Sequence, residues 1–228
     1  MFNISVIVNT FAVIIGSSLG LIFGKKLNEN LKTIMFQSVG VVTLIIGFGM
    51  GFEADNLIVV LISMVIGGVI GEVLKIERRI GNIANKIEKS KGETVFVKGF
   101  ITATVLFLVG PMTIIGCLNA GIAGDNSVIY LKSALDFISS IILSSIYGIG
   151  VMFSFISVYL IQGLLVTGSG YLNFLSKPEY LNDFTAVGGA MLIALGIRVL
   201  EVKEIKVGNF LPALIIVIII NYFLINLL

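Results

Sequence analysis

Asp136 is the residue whose type and setting most demand a chemical explanation. It sits in Ser133-Ala-Leu-Asp-Phe-Ile-Ser-Ser140, within an apolar run long enough to cross a bilayer. A charged side chain at the centre of a spanning helix costs about 2.5–3.5 kcal/mol on insertion scales. Helical spacing puts Ser133, Asp136, Ser140 and Ser144 on one face, so the acid heads a stripe of hydroxyls. Two readings are open. The stripe, with Gln162 and Asn9 adding neutral oxygens, can bind or relay a cation, because hard cations such as sodium prefer oxygen ligands. Alternatively Asp136 pairs with Lys132, four residues earlier on the same face, and has no part in transport. The first reading is favoured by a second anomaly nearby: Gly110-Pro111 interrupts the preceding apolar segment, where proline removes a backbone donor and clashes with the turn before it. A kink, a discontinuous helix or a re-entrant end would each satisfy that break. Thr113 and Asn119 join the candidate binding set, and Gly110, Pro111 and Gly116 mark the break itself.

Other chemistries are disfavoured by what the chain lacks. It has no histidine and one cysteine, Cys117, so His-based zinc sites, Ser-His and Cys-His catalysis, and intramolecular disulfides are excluded. Intramembrane proteolysis needs paired acids or a Ser-His pair, and neither pattern is present; the expectation is a non-enzyme without cofactor, apart from a sodium ion that Asp136 would hold.

The elements that must position these residues are membrane spans. Of 228 residues 57% are apolar and 12% charged, and mean hydropathy is +1.10, against roughly 45–50% apolar and 25% charged in soluble domains. The fold class is therefore an all-α polytopic transmembrane bundle, one integral membrane domain over 1–228 with the bilayer as its principal partner and no nucleic-acid surface. The first apolar run follows Met-Phe-Asn-Ile without a basic leader, and reads as a span rather than a cleaved signal. Taking about 17–25 apolar residues per span, the crossings fall at Ile4 to Phe23, Thr33 to Gly51, Asn56 to Glu72, Gly99 onward through Gly110-Pro111, Val128 to Tyr147, Val151 to Tyr171, Phe184 to Leu200, and Asn209 to Leu228. Between the third and fourth, Lys75 to Lys98 alternates Ile76, Ile80, Ile83 and Ile87 with charges, which predicts an amphipathic helix along the membrane surface. Gly16, Gly20 and Gly24, and again Gly67 and Gly71, recur every fourth residue, the spacing that lets helices approach closely in lipid; these faces pack helices within the chain or join copies of it as a homo-oligomer.

Charge placement tests the count. With Lys25, Lys26 and Lys32 on the cytoplasmic side, eight crossings bring 75–98 and Arg198, Lys203 and Lys206 to the same face, 13 of the 15 basic residues, leaving Lys132 and Lys177. That satisfies the positive-inside rule with both termini outside. Seven crossings would carry the last group outward, so eight are favoured.

A faint repeat runs through these spans. Ser38-Val-Gly-Val-Val-Thr-Leu-Ile-Ile-Gly47 superposes on Val187-Gly-Gly-Ala-Met-Leu-Ile-Ala-Leu-Gly196, placing Gly40 on Gly189 and Gly47 on Gly196, while Asn56 and Asn209 each open the helix that follows. Helices one to three then match helices six to eight in opposite orientation around the central pair at 99–147. Inverted repeats of this kind are characteristic of secondary transporters.

Gly110-Pro-Met-Thr-Ile-Ile-Gly116, Gly124-Asp125, Lys132-Ser-Ala-Leu-Asp136 and Val207-Gly-Asn-Phe-Leu-Pro-Ala213, in that order and with the region of Asn9 and Lys25-Lys26, resemble the bacterial membrane family called domain of unknown function 554, the YdfK/YqgA-like proteins. The resemblance covers essentially the whole chain and implies a multi-spanning protein, sometimes described as a transporter, whose chemistry is unassigned. Ala120 stands where many members carry an acid. Together these readings give a secondary transporter of a small solute or ion in the bacterial inner membrane, coupled to sodium or protons through Asp136. A channel or passive pore, or a sensor or assembly subunit that moves no solute, are the alternatives.

Overall fold

The computed structural model describes residues 3–24, 28–87 and 93–227. Lys25, Lys26, Lys89 and Lys91 of the charge argument lie outside the described residues, as do the side chains of Lys32 and of Ile83, Lys86 and Ile87 in the amphipathic segment. Every described element is helical: α1 (Ile4–Gly24), α2 (Glu29–Gly51), α3 (Leu57–Val73), α4 (Ile76–Ile87), α5 (Glu93–Leu108), α6 (Pro111–Ile122), α7 (Ser127–Tyr147), α8 (Ile149–Thr167), the short α9 (Ser169–Leu172), α10 (Pro178–Val199) and α11 (Ala213–Leu227), with 3₁₀ turns at Asn173–Ser176 and Val207–Phe210. In lipid a helix is the economical answer, because it pairs its own backbone groups. Six stretches are long and apolar enough to cross a membrane, and two bent pairs bring the number to as many as eight.

Local sequence sets the ends. Asn28 accepts from Leu31 N at 2.8 Å, and Asn56 from Ile58 N at 3.0 Å, each capping the helix it precedes. Gly148 parts α7 from α8 with a φ of +72°, so Val128 to Tyr171 is two helices rather than one. Gly110, at φ +138°, a conformation open essentially to glycine alone, precedes Pro111 at the first position of α6, where its missing N–H costs nothing. The break parts α5 from α6, which meet at a 56° bend.

Several boundaries differ from the sequence expectation. α5 starts at Glu93 rather than Gly99, since Phe96, Val97 and Lys98 are buried against the rest of the molecule instead of lying on a surface helix. α10 starts at Pro178 rather than Phe184, which draws Asp183 out of an expected loop into a helix. Pro212 lies between a 3₁₀ turn and α11, so the last span opens with a turn that cannot continue as a regular helix through its proline.

Helix α5 is the core. Val97, Ile101, Ala103, Val105, Phe107 and Val109 of this segment meet Val13, Leu143, Tyr147, Val151, Met191 and Leu195 from four other helices, as befits a helix apolar all round. The glycines tell how the other helices dock. A Cβ on Gly16 would strike Ser140 and Phe137, and one on Gly20 or Gly24 would strike Ile141 and Ser144 or Ser145, so α1 lies parallel to α7. Gly47 meets Gly189 and Ile193, while Gly40 meets Val199 and Leu200 and lies under Gly196, so α2 runs antiparallel to α10. Gly67 and Gly71 meet Ala213 and Asn209, setting α3 antiparallel to the final span. These directions are those of eight alternating traverses. They also mean that the four-residue glycine faces pack helices within the chain, the first of the two readings, which leaves these faces no room to join copies of it.

Candidate functional site

The buried face of α7 carries Ile129, Lys132, Ser133, Asp136, Ser140, Leu143 and Ser144. Asp136 is 5% exposed and Lys132 6%, yet both belong to an otherwise apolar span. Asp136 is nine residues beyond the start of α7, about 14 Å along the axis at 1.5 Å per residue, near the midpoint of this helix of 21 residues.

Asp136 makes the ion pair of the second reading, and the two amides named in the first lie beside it. Lys132 Nζ donates to both carboxylate oxygens, Oδ1 at 2.8 Å and Oδ2 at 2.9 Å. Asn9 Nδ2, from α1, adds a 3.0 Å bond to Oδ2 and a 3.3 Å bond to Gln162 Oε1 on α8. Four side chains from three helices thus form one polar cluster, and both amides in it are fully buried. Two of its atoms, Asn9 Oδ1 and Gln162 Nε2, are buried without a hydrogen-bond partner, which in a dry interior is costly for each. The pair offsets the desolvation of its two charges only while both are present.

The remaining candidates are occupied elsewhere. Ser133 donates to Ile129 O at 2.7 Å and Ser140 to Phe137 O at 2.8 Å, each closing onto its own helix. Ser144 bonds Ser17 O of α1 at 2.9 Å and so helps seat the two helices together. Thr113 reaches back across the Gly110-Pro111 break to Phe107 O at 3.1 Å, tying the two halves of the broken span. Gly116 takes the close approach of Val128 and Ile129 from α7. Asn119 is exposed at the end of α6, where its carbonyl accepts from Ala123 and Asp125. Between α6 and α7, Asp125 accepts from Ser127 N at 3.0 Å and from its hydroxyl, which holds the Asp125 carboxyl below the ordinary carboxylate range.

Charged residues that the sequence presents as simple interfacial ends form two further networks. At one end of the bundle Asp183 Oδ1 accepts from the backbone of Asp55 and Asn56 at 3.0 and 2.9 Å, and its Oδ2 accepts from Asn221 at 3.1 Å. At the other end Arg198, 6% exposed, pairs with Glu77 at 2.8 Å and Glu204 at 3.0 Å. Glu77 also accepts from Gly208 N at 2.8 Å, Asn209 bonds Glu72 at 2.6 Å, and Lys206 pairs with Glu72 at 2.9 Å. A cavity of about 480 Å³ opens within this second network, lined by Glu72, Lys75, Glu77, Arg78, Arg198 and Glu204 among others. Another, of about 410 Å³, lies along Ile34, Gln37, Ser38, Val41 and Val42 of α2. Neither reaches Asp136. The networks escape sequence reading because nothing in the spacing of Glu77, Arg198 and Glu204 brings them together; only the antiparallel docking of α3 and α10 with their neighbours does.

Residues 4–222 match the family described as protein of unknown function (DUF554). The chain is 29% identical over 214 residues to the uncharacterized membrane protein YdfK of Bacillus subtilis (strain 168), with 92% of each chain covered. It is 30% identical over 216 residues to the uncharacterized protein YqgA of Escherichia coli (strain K12), again with 92% of each covered. No solved structure matches.

Proposed function

The chain belongs to the DUF554 family of membrane proteins, and within that family we propose that it is a secondary transporter of a small solute or ion, driven by a coupling ion at Asp136. The observation that carries this reading is the mid-span cluster of Lys132, Asp136, Asn9 and Gln162, with two buried amide atoms left without partners. Ionisable residues at that depth mark ion pathways and proton relays by default. The arrangement favours a proton over sodium as the coupling ion. Both carboxylate oxygens already hold the Lys132 ammonium, so a metal ion would have to displace it, whereas a proton on Asp136 dissolves the pair and frees Lys132 to re-pair. Such an exchange alters what the α1–α7–α8 interface can bury, which is the kind of bistable element that alternating access requires.

The inverted-repeat reading is supported by the way aligned glycines meet. Gly40 and Gly47 of α2 align with Gly189 and Gly196 of α10, yet pack crosswise, Gly40 at Gly196 and Gly47 at Gly189, as a two-fold axis lying in the membrane between the two helices would have it. The orientation we propose has both termini outside and residues 75–98 on the cytoplasmic side of the bacterial inner membrane.

Reconstitution in liposomes tests the function. Uptake from a pool of labelled small solutes, driven by an imposed proton or sodium gradient, is expected for the native chain and is expected to be lost in Asp136→Asn. Unchanged gradient-driven uptake in that variant would sink the coupling role. Flux indifferent to any gradient would point to a channel, and no flux of any solute to a sensor or assembly subunit.

A further inference from the structure

The cavity at the Arg198 end has a charge pattern that its own residues do not complete. Its three carboxylates are all engaged: Glu72 with Lys206 and Asn209, Glu77 with Arg198 and Gly208 N, and Glu204 with Arg198 and, at 3.8 Å, with Lys98. Two of its cations are held by no such close contact. Lys75 and Arg78 line the same cavity and make no ion pair among the described residues, Lys75 facing Glu72 only at longer range.

Backbone geometry points the same way. Lys75 has a φ of +52°, the left-handed conformation that glycine would take here without cost and that other residues adopt at a penalty. Its amide donates to Glu72 O at 3.0 Å, and this turn carries the chain from α3 into α4 with Lys75 and Arg78 on the cavity wall.

We infer that this cavity binds a small oxyanion, a phosphate or carboxylate group, between Lys75 and Arg78. The planar guanidinium fork of Arg78 suits both oxyanions, and the lysine beside it supplies a point charge. The volume of about 480 Å³ admits a metabolite-sized anion, and its place at the end of the spans also admits a phospholipid headgroup. The site stands apart from the Asp136 cluster and does not depend on the transport reading.

The test uses the full chain in lipid nanodiscs and inorganic phosphate as probe, followed by calorimetry at low ionic strength. In zwitterionic phosphatidylcholine discs phosphate is expected to bind, and Lys75→Gln with Arg78→Gln to weaken binding by about tenfold or more through the loss of two charge-assisted contacts. Both residues are exposed and unpaired, so the variants keep the network that holds the fold. Arg79→Gln, a neighbouring surface charge, is expected to leave binding unchanged. Loss of phosphate binding in phosphatidylglycerol discs, with anionic lipid retained by the native chain and released by the double variant, identifies a headgroup as occupant of the same cradle. Binding in both disc types identifies a free anion. No phosphate binding in phosphatidylcholine discs, or equal weakening by Arg79→Gln, overturns the site.

Discussion

Lys132 and Asp136 stabilise the molecule only as a pair. Replacing Lys132 by methionine leaves a carboxylate buried at mid-span with one amide bond from Asn9, and the expected loss is about 3–5 kcal/mol, the cost of an uncompensated buried charge. Adding Asp136→Leu to Lys132→Met removes the orphaned charge and should recover most of that stability without recovering uptake. Unfolding of the purified variants in detergent micelles measures both steps; a double variant as fragile as the single one would show that the ion pair is not the source of the loss. This pairing was legible in the sequence because four residues on a helix share a face. The rest of the cluster was only half legible. Asn9 and Gln162 stood out as amides in apolar spans, but that they meet Asp136 depends on how α1 and α8 rotate about α7. Ser133 and Ser140 look like ligands by spacing and instead bond carbonyls one turn back, the nearest acceptors for a hydroxyl on a helix.

Helix α1 must lie close along α7 for Asn9 to reach Asp136, and glycine makes that approach available. The carbonyl carbon of Ile141 would be 2.9 Å from a Cβ at Gly20, a contact with backbone that cannot swing away. Gly20→Ala is expected to destabilise the protein by about 1–3 kcal/mol through overpacking. Gly49→Ala on α2, where nothing lies within 4 Å, should be neutral or stabilising by up to about 1 kcal/mol through helix propensity. Thermal unfolding of the two variants side by side checks this, and similar midpoints would refute the close-approach argument. Glycine spacing announces such packing in advance but not its partner. The Gly16 and Gly67 faces read first as helix packing, but which helix each one meets is seen only in the docking. Boundaries were missed where polar residues are buried by tertiary contact: Lys98 joins α5 because Glu204 waits for it, and Asp183 joins α10 because the backbone of Asp55 and Asn56 does.

Across the whole molecule the two ends carry opposite charge. One gathers Lys75, Arg78, Arg79, Lys98, Lys203 and Lys206 around Arg198, while the other holds Glu53, Asp55, Asp125, Glu179 and Asp183 with Lys177. The packing polarity of α1 on α7, α2 on α10 and α3 on the final span fixes which loops share an end, and it is independent of charge. That the two criteria agree is the strongest argument for eight traverses, because a seven-span chain would split Lys203 and Lys206 from Lys75 and Arg78. In the orientation proposed above, which follows the positive-inside rule, the basic end faces the cytoplasm. Cys117 is fully buried, so an added cysteine can be read by a membrane-impermeant maleimide on whole cells after Cys117→Ala. Tyr171→Cys, at a position 91% exposed between α8 and α10, is expected to label on intact cells. Lys203→Cys, exposed at the basic end, should label only once the membrane is opened. The reverse pattern would invert the protein in the membrane, and labelling of both on intact cells would break the eight-span alternation itself.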